Sequence, residues 1–256
     1  MKPLMPRTFS SRSALLFFVF LLLLATHVRG AGVSSVSFPF GDDQRDALLC
    51  RPQGAGPFLA VVYNHGSVVD MFGWPGAAGH GYRMDDICEA LAKEGYLAFL
   101  PIREKRARGK NHQSYEEYYK DVVSRAVDHV KTLPGVDSGR VALMGFSMGG
   151  FTTLKVAVER KDLKAVVLLA PAFARGLLAD EVERVPSLNA PVLLLVEASD
   201  DPPIRKGVAL LEQAFREHKK EARVIRYDRG GGHHLFYQLD YWWLDVSTFL
   251  RDKLDG

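Results

Sequence analysis

The chain has 256 residues, of which 47% are hydrophobic and 25% are charged, a composition typical of one globular domain with a substantial core. This composition excludes a disordered or low-complexity chain. The formal net charge is +3, but residues 1–30 hold four basic and no acidic residues, and the remainder has 29 basic and 30 acidic residues. A nearly neutral remainder gives no reason to expect nucleic-acid binding.

The first 30 residues differ from the rest and predict a secretory signal peptide. Basic residues precede the apolar run ALLFFVFLLLLA (14–25), and small residues follow it. The run is shorter than the roughly 20 residues that span a bilayer. We therefore expect a signal peptide over 1–30, a mature domain over 31–256 without a stable membrane span, and a secreted or periplasmic location. An uncleaved segment would instead leave the chain anchored to the membrane.

The spacing of apolar residues then alternates between strand and helix periods. VSSVSFPF (33–40) and DALLCRP (46–52) alternate like strands with one exposed face, and FLAVVYNHG (58–66) has the continuous apolar run of a buried parallel strand. MDDICEALAKEGY (84–96) has helical spacing and ends in glycine, and LAFLPI (97–102) is strand-like.

The same alternation continues to the C-terminus. Ser114 and Glu117 have the spacing of a capping box at the start of a helix predicted over 114–133. Strand-like and helix-like segments then follow in turn: RVALMGF, MGGFTTLKVAVERK, LKAVVLLAPA, APVLLLVEA, PIRKGVALLEQAFREHK, ARVIRY and QLDYWWLDVSTFLRDKL. This order predicts an α/β fold: a mostly parallel central sheet with helices on both faces and an antiparallel N-terminal lead-in. Ligands of such sheets bind beyond the carboxyl ends of the strands.

The chain has two cysteines, Cys50 and Cys88. An oxidising compartment would permit a disulfide, but one cysteine lies in a strand-like run and the other in a helix-like run. These positions favour two buried free thiols, and whether the cysteines pair is left open. No metal site is expected, because zinc needs more ligands than these two cysteines and their neighbours supply.

Ser147 lies between a predicted strand and a predicted helix in the motif G-F-S-M-G. Strand, sharp turn and helix form the layout in which a nucleophilic serine sits on a strained elbow with its oxygen exposed. Gly145 and Gly149 suit this layout, because side chains there would crowd the neighbouring strand and helix. The backbone N–H of Met148 would then be one donor to an oxyanion. An ordinary tight turn is the alternative.

Two further loops follow strand-like runs and supply an acid and a base. The turn SDDPP places Asp200 and Asp201 after APVLLLVEA, where either could orient a histidine or belong to a turn that starts the next helix. The loop DRGGGHHLFY places His233 and His234 after ARVIRY. The order Ser, Asp, His along the chain is the one that this hydrolase layout requires.

A fourth loop, YNHGS (63–67), follows the central strand. Gly66 would let the backbone approach a substrate oxygen, and the N–H of Ser67 would be the second oxyanion donor. His65 is expected to be a structural hydrogen-bonding residue rather than a base.

These motifs together resemble the dienelactone hydrolase-like branch of the α/β-hydrolase superfamily. The resemblance covers nearly all of residues 33–256 and rests on NHGS, AKEGYLAFLPIR, GRVALMGFSMGG, the Asp200 turn, GGGHH and an aromatic-rich last helix. It implies that His233, directly after the glycines, is the base. Dienelactone hydrolases proper use a cysteine nucleophile, so Ser147 favours an ordinary carboxylic ester. Relatives often have glycine where this chain has Glu197, which leaves the choice between Asp200 and Asp201 open.

The expected activity is that of a serine esterase that forms an acyl-enzyme with small esters through Ser147, Asp200 and His233. The chemistry requires no metal or organic cofactor, and the expected partner is a small-molecule ester; the oligomeric state stays open. The segment AFARGLLADEVERVPSLN (172–189) is too short for a large cap domain. We expect Met71, Phe72 and Trp74 to form a wall of the substrate pocket. Tyr118 and Tyr119 are expected to pack the helix instead, and REKRARGK (103–110) is expected to be a solvated loop.

Two other functions compete with this one. A small serine peptidase or acyl-peptide hydrolase would use the same triad, but such relatives normally have an additional substrate-selecting domain, for which this chain has no room. A non-catalytic binding protein would retain the fold alone. The intact set of serine, acid and histidine argues against that reading.

Overall fold

The structure is a computed structural model that describes Met1 and residues 32–103 and 114–255. The predicted signal peptide and residues 104–110 of the basic stretch therefore lie outside the described residues. Within the described part of the chain, no helix is both long enough and apolar enough to cross a membrane.

A single eight-stranded sheet has the strand order β1-β2-β4-β3-β5-β6-β7-β8. The strands are β1 (Ser34–Phe40), β2 (Asp43–Cys50), β3 (Phe58–Asn64), β4 (Leu97–Pro101), β5 (Val136–Phe146), β6 (Ala165–Leu169), β7 (Val192–Glu197) and β8 (Ala222–Tyr227). β2 is antiparallel to both β1 and β4. Every pairing from β4 through β3 to β8 is parallel. The predicted antiparallel lead-in and mostly parallel sheet are confirmed.

Seven α-helices occur in the described residues: α1 (Ser67–Gly79), α2 (Met84–Lys93), α3 (Tyr115–Thr132), α4 (Met148–Ala157), α5 (Leu177–Glu183), α6 (Pro202–Glu217) and α7 (Trp243–Leu254). The capping box is confirmed, because the Ser114 side chain accepts a hydrogen bond from the N–H of Glu117 at 3.2 Å. Helix α1 lies where the sequence predicts no regular element, and it is interrupted at Gly73, whose φ is 71°.

The central strands are buried on both faces of the sheet, which accounts for their apolar sequences. Every residue of β4, β6 and β7 is buried, and each of the three strands is a continuous run of mainly aliphatic residues. Successive side chains of a strand point to opposite faces, so complete burial requires cover on both sides of the sheet. This confirms the α/β fold, with helices on both faces of the sheet, that the alternation of segments predicts.

The connection between β6 and β7 consists of residues 170–191, all of which the structure describes, and it contains only short elements. It contains α5 and two single 3₁₀ turns, at Ala174–Gly176 and Val185–Ser187. The prediction that the fold has no large cap domain is confirmed. The site at this edge of the sheet is therefore bordered by a few short elements rather than by a second domain.

Cys50 and Cys88 form a disulfide, so the preference for two free thiols was wrong. Cys50 ends β2 and Cys88 lies in α2, and the two Cα atoms are 5.7 Å apart, within the range that a disulfide spans. Residues on different elements approach one another whenever the elements pack together, and here α2 packs on the sheet beside β2. The strand-like and helix-like patterns around the two cysteines say nothing about that packing.

Replacing both cysteines by alanine should lower the free energy of unfolding by about 4 kcal/mol, because the bridge closes a loop of 38 residues in the unfolded chain. Urea denaturation of the parent and of the Cys50→Ala, Cys88→Ala double variant measures the difference. The parent in a reducing agent is the matched control and should approach the double variant. Equal urea midpoints for all three samples would contradict this expectation.

Candidate active site

The residues that follow β3, β5, β7 and β8 all lie at one edge of the sheet, because these strands are parallel. The register aligns the strand ends: Asn64 of β3 pairs with Gly145 of β5, and Phe146 of β5 pairs with Leu169 of β6. Glu197 at the end of β7 pairs with Tyr227 at the end of β8. The four loops that carry the predicted site residues therefore open on the same side of the molecule.

Ser147 occupies a sharp turn between β5 and α4, with φ 54° and ψ −120°. A positive φ is rare for a residue with a side chain and costs about 1–3 kcal/mol. Backbone hydrogen bonds hold it there: its N–H donates to the carbonyl of Leu169 at 2.9 Å, and its own carbonyl accepts from the N–H groups of Phe151 and Ala172 at 3.0 and 2.9 Å. The turn is thus fixed by β6 and by the segment after it.

Gly145 and Gly149 allow strand and helix to approach closely at this turn. A Cβ atom on Gly149 would lie well inside 3.0 Å of the carbonyl oxygens of Asn64 and His65, and one on Gly145 would meet the carbonyl of Gly149 equally closely. These are backbone atoms of packed elements, which cannot move aside cheaply. The predicted crowding at both positions is confirmed.

The turn after β3 lies against the Ser147 elbow. A Cβ atom on Gly66 would be 3.4 Å from Cβ of Ser147 and 2.9 Å from the ring of Phe146. Ser67 is the first residue of α1 and Met148 is the first residue of α4. The N–H groups of such positions have no acceptor inside their own helix.

Asp200 and His233 are in direct contact. Nδ1 of His233 lies 3.1 Å from both carboxylate oxygens of Asp200, whose side chain is fully buried. The ring of His233 packs on the ring of Phe146, with centroids 4.7 Å apart. Phe146 directly precedes Ser147 in the chain, so His233 lies close to the elbow. Asp200 also accepts a hydrogen bond from the backbone N–H of Asp201 at 2.7 Å.

The neighbouring alternatives lie elsewhere. Asp201 is exposed and directly precedes α6. The ring of His234 packs edge-on against Tyr237, with centroids 4.8 Å apart. Of the four residues that the sequence offers as acid and base, the structure therefore brings Asp200 and His233 together.

Glu197 joins the acid turn to the histidine loop, a role that the sequence analysis did not foresee. Its carboxylate is buried and accepts hydrogen bonds from the N–H of Ser199 at 2.6 Å and from the hydroxyl of the same residue. The other oxygen accepts from the N–H groups of Arg229 and Gly230 at 3.1 and 3.0 Å. Burial opposes its negative charge, but these hydrogen bonds outweigh burial and lower the pKa of Glu197. In the sequence, the signal that could have indicated this role is an acidic residue directly after the apolar run VLLLV.

A second buried charge lies beneath the turn after β3. Arg103 is buried, and its Nη2 contacts Nδ1 and the carbonyl of His65 and lies 3.5 Å from the carboxylate of Asp70. Burial and Arg103 hold the pKa of His65 well below its ordinary value, which keeps the ring neutral. The structural role predicted for His65 is confirmed. The solvated loop predicted over 103–110 is wrong for Arg103, because its side chain turns inward onto this cluster.

A cavity of about 350 Å³ lies beside the elbow. Its walls come from α1, α3, the first residue of α4 and the short turn after β6: Ser67, Asp70, Met71, Tyr115, Glu116, Tyr119, Met148, Ala174 and Arg175. Among the described residues, no group of His, Cys, Asp or Glu side chains is arranged to hold a metal ion.

The cavity walls differ in part from those assigned from the sequence. Met71 lines the cavity, whereas Phe72 stacks on His80 and Trp74 packs against the core. Tyr118 packs as expected, since its ring meets Phe40 edge-on. Tyr119 also forms part of the cavity wall, which corrects the purely structural role assigned to it.

A strand-elbow-helix serine with a histidine–carboxylate pair at the same sheet edge defines the α/β-hydrolase class. The family model of the dienelactone hydrolase family matches residues 46–240. The chain belongs to this family and is a hydrolase of the class that acts on ester bonds.

Curated relatives match most of the chain. A putative carboxymethylenebutenolidase from Yersinia pestis is 27% identical over 229 residues, which cover 81% of this chain and 80% of the relative. One from Escherichia coli O157:H7 is 30% identical over 222 residues, 78% of this chain and 76% of the relative.

Solved structures share the fold. A putative dienelactone hydrolase from Klebsiella pneumoniae matches 88% of this chain and 98% of its own, with a TM-score of 0.64 and 21% identity. An acylaminoacyl peptidase from Pyrococcus horikoshii matches 89% of this chain but only 42% of its own, with a TM-score of 0.68 and 16% identity.

Replacing Gly149 by alanine should lower the free energy of unfolding by about 3 kcal/mol, because the added methyl group meets the carbonyls of Asn64 and His65. Gly79→Ala is the matched control: it adds the same methyl group to a glycine with nothing within 4 Å of the new atom. Urea denaturation compares the two variants with the parent. A Gly149→Ala variant as stable as Gly79→Ala would refute the close-approach argument.

Glu197→Gln should reduce kcat for a small ester about tenfold or more. The amide turns an NH₂ group toward backbone N–H donors, so the acid turn or the histidine loop loses its anchor. Glu89→Gln, the same change at a half-buried position of α2 far from the two loops in sequence, is the control and should keep the parent kcat. Parent-like turnover by Glu197→Gln would show that the two loops hold their positions without this carboxylate.

Proposed function

We propose that the protein is a serine carboxylesterase that hydrolyses small esters through Ser147, His233 and Asp200. The observation that carries the proposal is the strained elbow of Ser147 at the same sheet edge as the Asp200–His233 contact. Strain of this kind at a surface turn is typical of a displayed nucleophile. The family assignment supports the reaction class, and the particular substrate and residue roles are our proposal.

The first half-reaction follows from the hydrogen bonds of His233. When Nδ1–H donates to Asp200, the lone pair of the ring is on Nε2, which takes the proton of Ser147 as its oxygen attacks the ester carbonyl. The N–H groups of Ser67 and Met148 stabilise the oxyanion that forms. Protonated His233 then gives its proton to the leaving alcohol.

In the second half-reaction, water hydrolyses the acyl-enzyme. His233 removes a proton from the water, the hydroxide attacks the acyl carbonyl, and the carboxylic acid leaves as Ser147 regains its proton. This sequence needs only the residues already named. A serine in place of the cysteine of dienelactone hydrolases proper favours ordinary carboxylic esters over the dienelactone.

Small substrates suit the surroundings of the elbow. The short segment between β6 and β7 supplies no large cap that would enclose a long chain. If residues 1–30 act as a signal peptide, the enzyme works outside the cytoplasm. Peptide cleavage on the same residues is the second candidate, favoured by the fold shared with acylaminoacyl peptidases, although the match covers less than half of those chains.

The test combines covalent labelling with turnover. A fluorophosphonate probe should label the parent and fail to label Ser147→Ala, and Ser147→Ala should lower kcat/KM for p-nitrophenyl acetate by a factor of about 10³ or more. His233→Ala should lose activity to a similar degree, and Asp200→Asn should lose at least about a hundredfold because the tautomer of the ring is no longer fixed.

The adjacent residues provide matched controls. His234→Ala and Asp201→Asn should retain kcat/KM within about threefold, because neither side chain takes part in the Asp200–His233 contact. Unchanged labelling of Ser147→Ala would sink the catalytic assignment. An acetylated peptide cleaved faster than the aryl ester would favour the second candidate.

A further inference from the structure

The position of the cavity relative to the base indicates which part of a bound ester it would receive. Ser67 and Met148, the two oxyanion donors of the proposed function, are among its wall residues. None of its described wall residues comes from the loop that carries His233, residues 228–238. The leaving oxygen must reach His233 to be protonated, so the alcohol lies toward that loop. The acyl part of the ester therefore extends into the cavity.

The walls match a flat ring. Tyr115 and Tyr119 contribute aromatic faces whose centroids are 6.3 Å apart, and Met71 and Met148 contribute thioethers. Aromatic rings and methionine sulfur both pack favourably on aromatic groups. An apolar cavity of roughly 150 Å³ holds one benzene molecule. The volume of about 350 Å³ here accommodates a substituted ring and a short linker to the carbonyl.

The charged side chains in the walls are paired with opposite charges. Glu116 pairs with Arg175 at 3.0 Å, and Oδ2 of Asp70 lies 3.5 Å from Arg103. Oδ1 of Asp70 is buried without a hydrogen-bond partner of good geometry, although Nδ1 of His65 lies 3.9 Å from it. Burial raises the pKa of Asp70, and the Tyr119 hydroxyl, which interacts with the same carboxylate, opposes that rise. Because Arg103 already offsets its charge, the group that suits Asp70 is a neutral donor, a hydroxyl rather than an ammonium.

We propose that this cavity is an acyl subsite for an aromatic ring that carries a hydroxyl group, with the hydroxyl donating a hydrogen bond to Asp70. The inference rests on the proposed function and specifies its substrate as an ester of a hydroxyaryl acid. A sugar ring would present several more hydroxyl groups than these largely carbon and sulfur walls can satisfy. Ser147 takes the hydroxyaryl acyl group and releases the alcohol, and water then releases the free acid.

Matched esters test the hydroxyl directly. Methyl 4-hydroxyphenylacetate and methyl 4-methylphenylacetate differ only by hydroxyl against methyl, and the corresponding cinnamate pair places the ring one carbon further from the carbonyl. The parent should prefer the hydroxyl ester by about tenfold in kcat/KM in at least one pair, as expected for a hydrogen bond to a charged group. A ratio near one in both pairs overturns the proposal.

Asp70→Asn identifies the acceptor. The variant keeps the size of the side chain but replaces the carboxylate by a weaker acceptor, so the hydroxyl-to-methyl ratio should fall below about threefold. The ratio is taken within one preparation, so it does not depend on the fraction of active protein. Asp86→Asn, the same change on α2 outside the cavity, should keep the parent ratio. An unchanged ratio in Asp70→Asn refutes the role of Asp70.

Binding to Ser147→Ala separates this inference from the proposed function. Calorimetry with the intact esters should give about tenfold tighter binding of the hydroxyl ester, whether or not the parent turns it over. Equal affinities, or none for either ester, would refute the subsite. If p-nitrophenyl acetate is hydrolysed but the hydroxyl gives no preference in turnover or binding, the subsite alone fails. If the hydroxyl ester binds but no ester is hydrolysed, the proposed function fails and the subsite stands.

Discussion

The strained, positive-φ backbone of Ser147 is the constraint on which the rest of the site depends. A residue with a side chain adopts this conformation only when its surroundings enforce it. Here the enforcement comes from β6 and the segment that follows it, whose backbone groups hydrogen-bond to both ends of Ser147. The same turn brings α4 against β3 and β5, a contact close enough to require glycine at 145 and 149. The fold thus opposes the strain with backbone interactions already present in its most buried strands.

Two buried charges fix the loops on either side of the elbow. Glu197 holds the acid turn and the histidine loop through their backbone N–H groups, and Arg103 holds the turn after β3 through the carbonyl and ring of His65. A buried charge is stable only with such partners, so each side chain restricts the loop that it contacts. Both charges therefore position backbone groups close to the proposed reaction centre.

The strongest predictions came from residues whose environment is set by the local chain. The apolar runs of β4, β6 and β7 indicate strands buried on both faces, and Ser114 with Glu117 marks the start of α3. The motif around Ser147 was informative because its glycines are required by a strand-turn-helix geometry that is itself local. Helix α1 was missed because Gly73 and Pro75 interrupt its pattern and few of its residues are buried.

The features that the sequence did not predict all depend on contacts between distant segments of the chain. Cys50 meets Cys88 because α2 packs on the sheet beside β2, and Arg103 turns inward because its side chain contacts His65 and Asp70. Tyr119 faces a cavity because α1 and the segment after β6 leave space above α3. Periodicity reports which face of an element is buried, but not what lies opposite that face.

The sequence by itself determined the class of fold, the position of the elbow and the order in which serine, acid and histidine occur. Those features follow from hydrophobic period, glycine geometry and the rule that parallel strands end at one edge of a sheet. Only the tertiary structure decided that His233 rather than His234 contacts Asp200, that Glu197 joins their loops and that a cavity lies beside Ser67 and Met148. A shift of one residue leaves the local pattern almost unchanged but points the side chain elsewhere, so such choices are settled by packing alone.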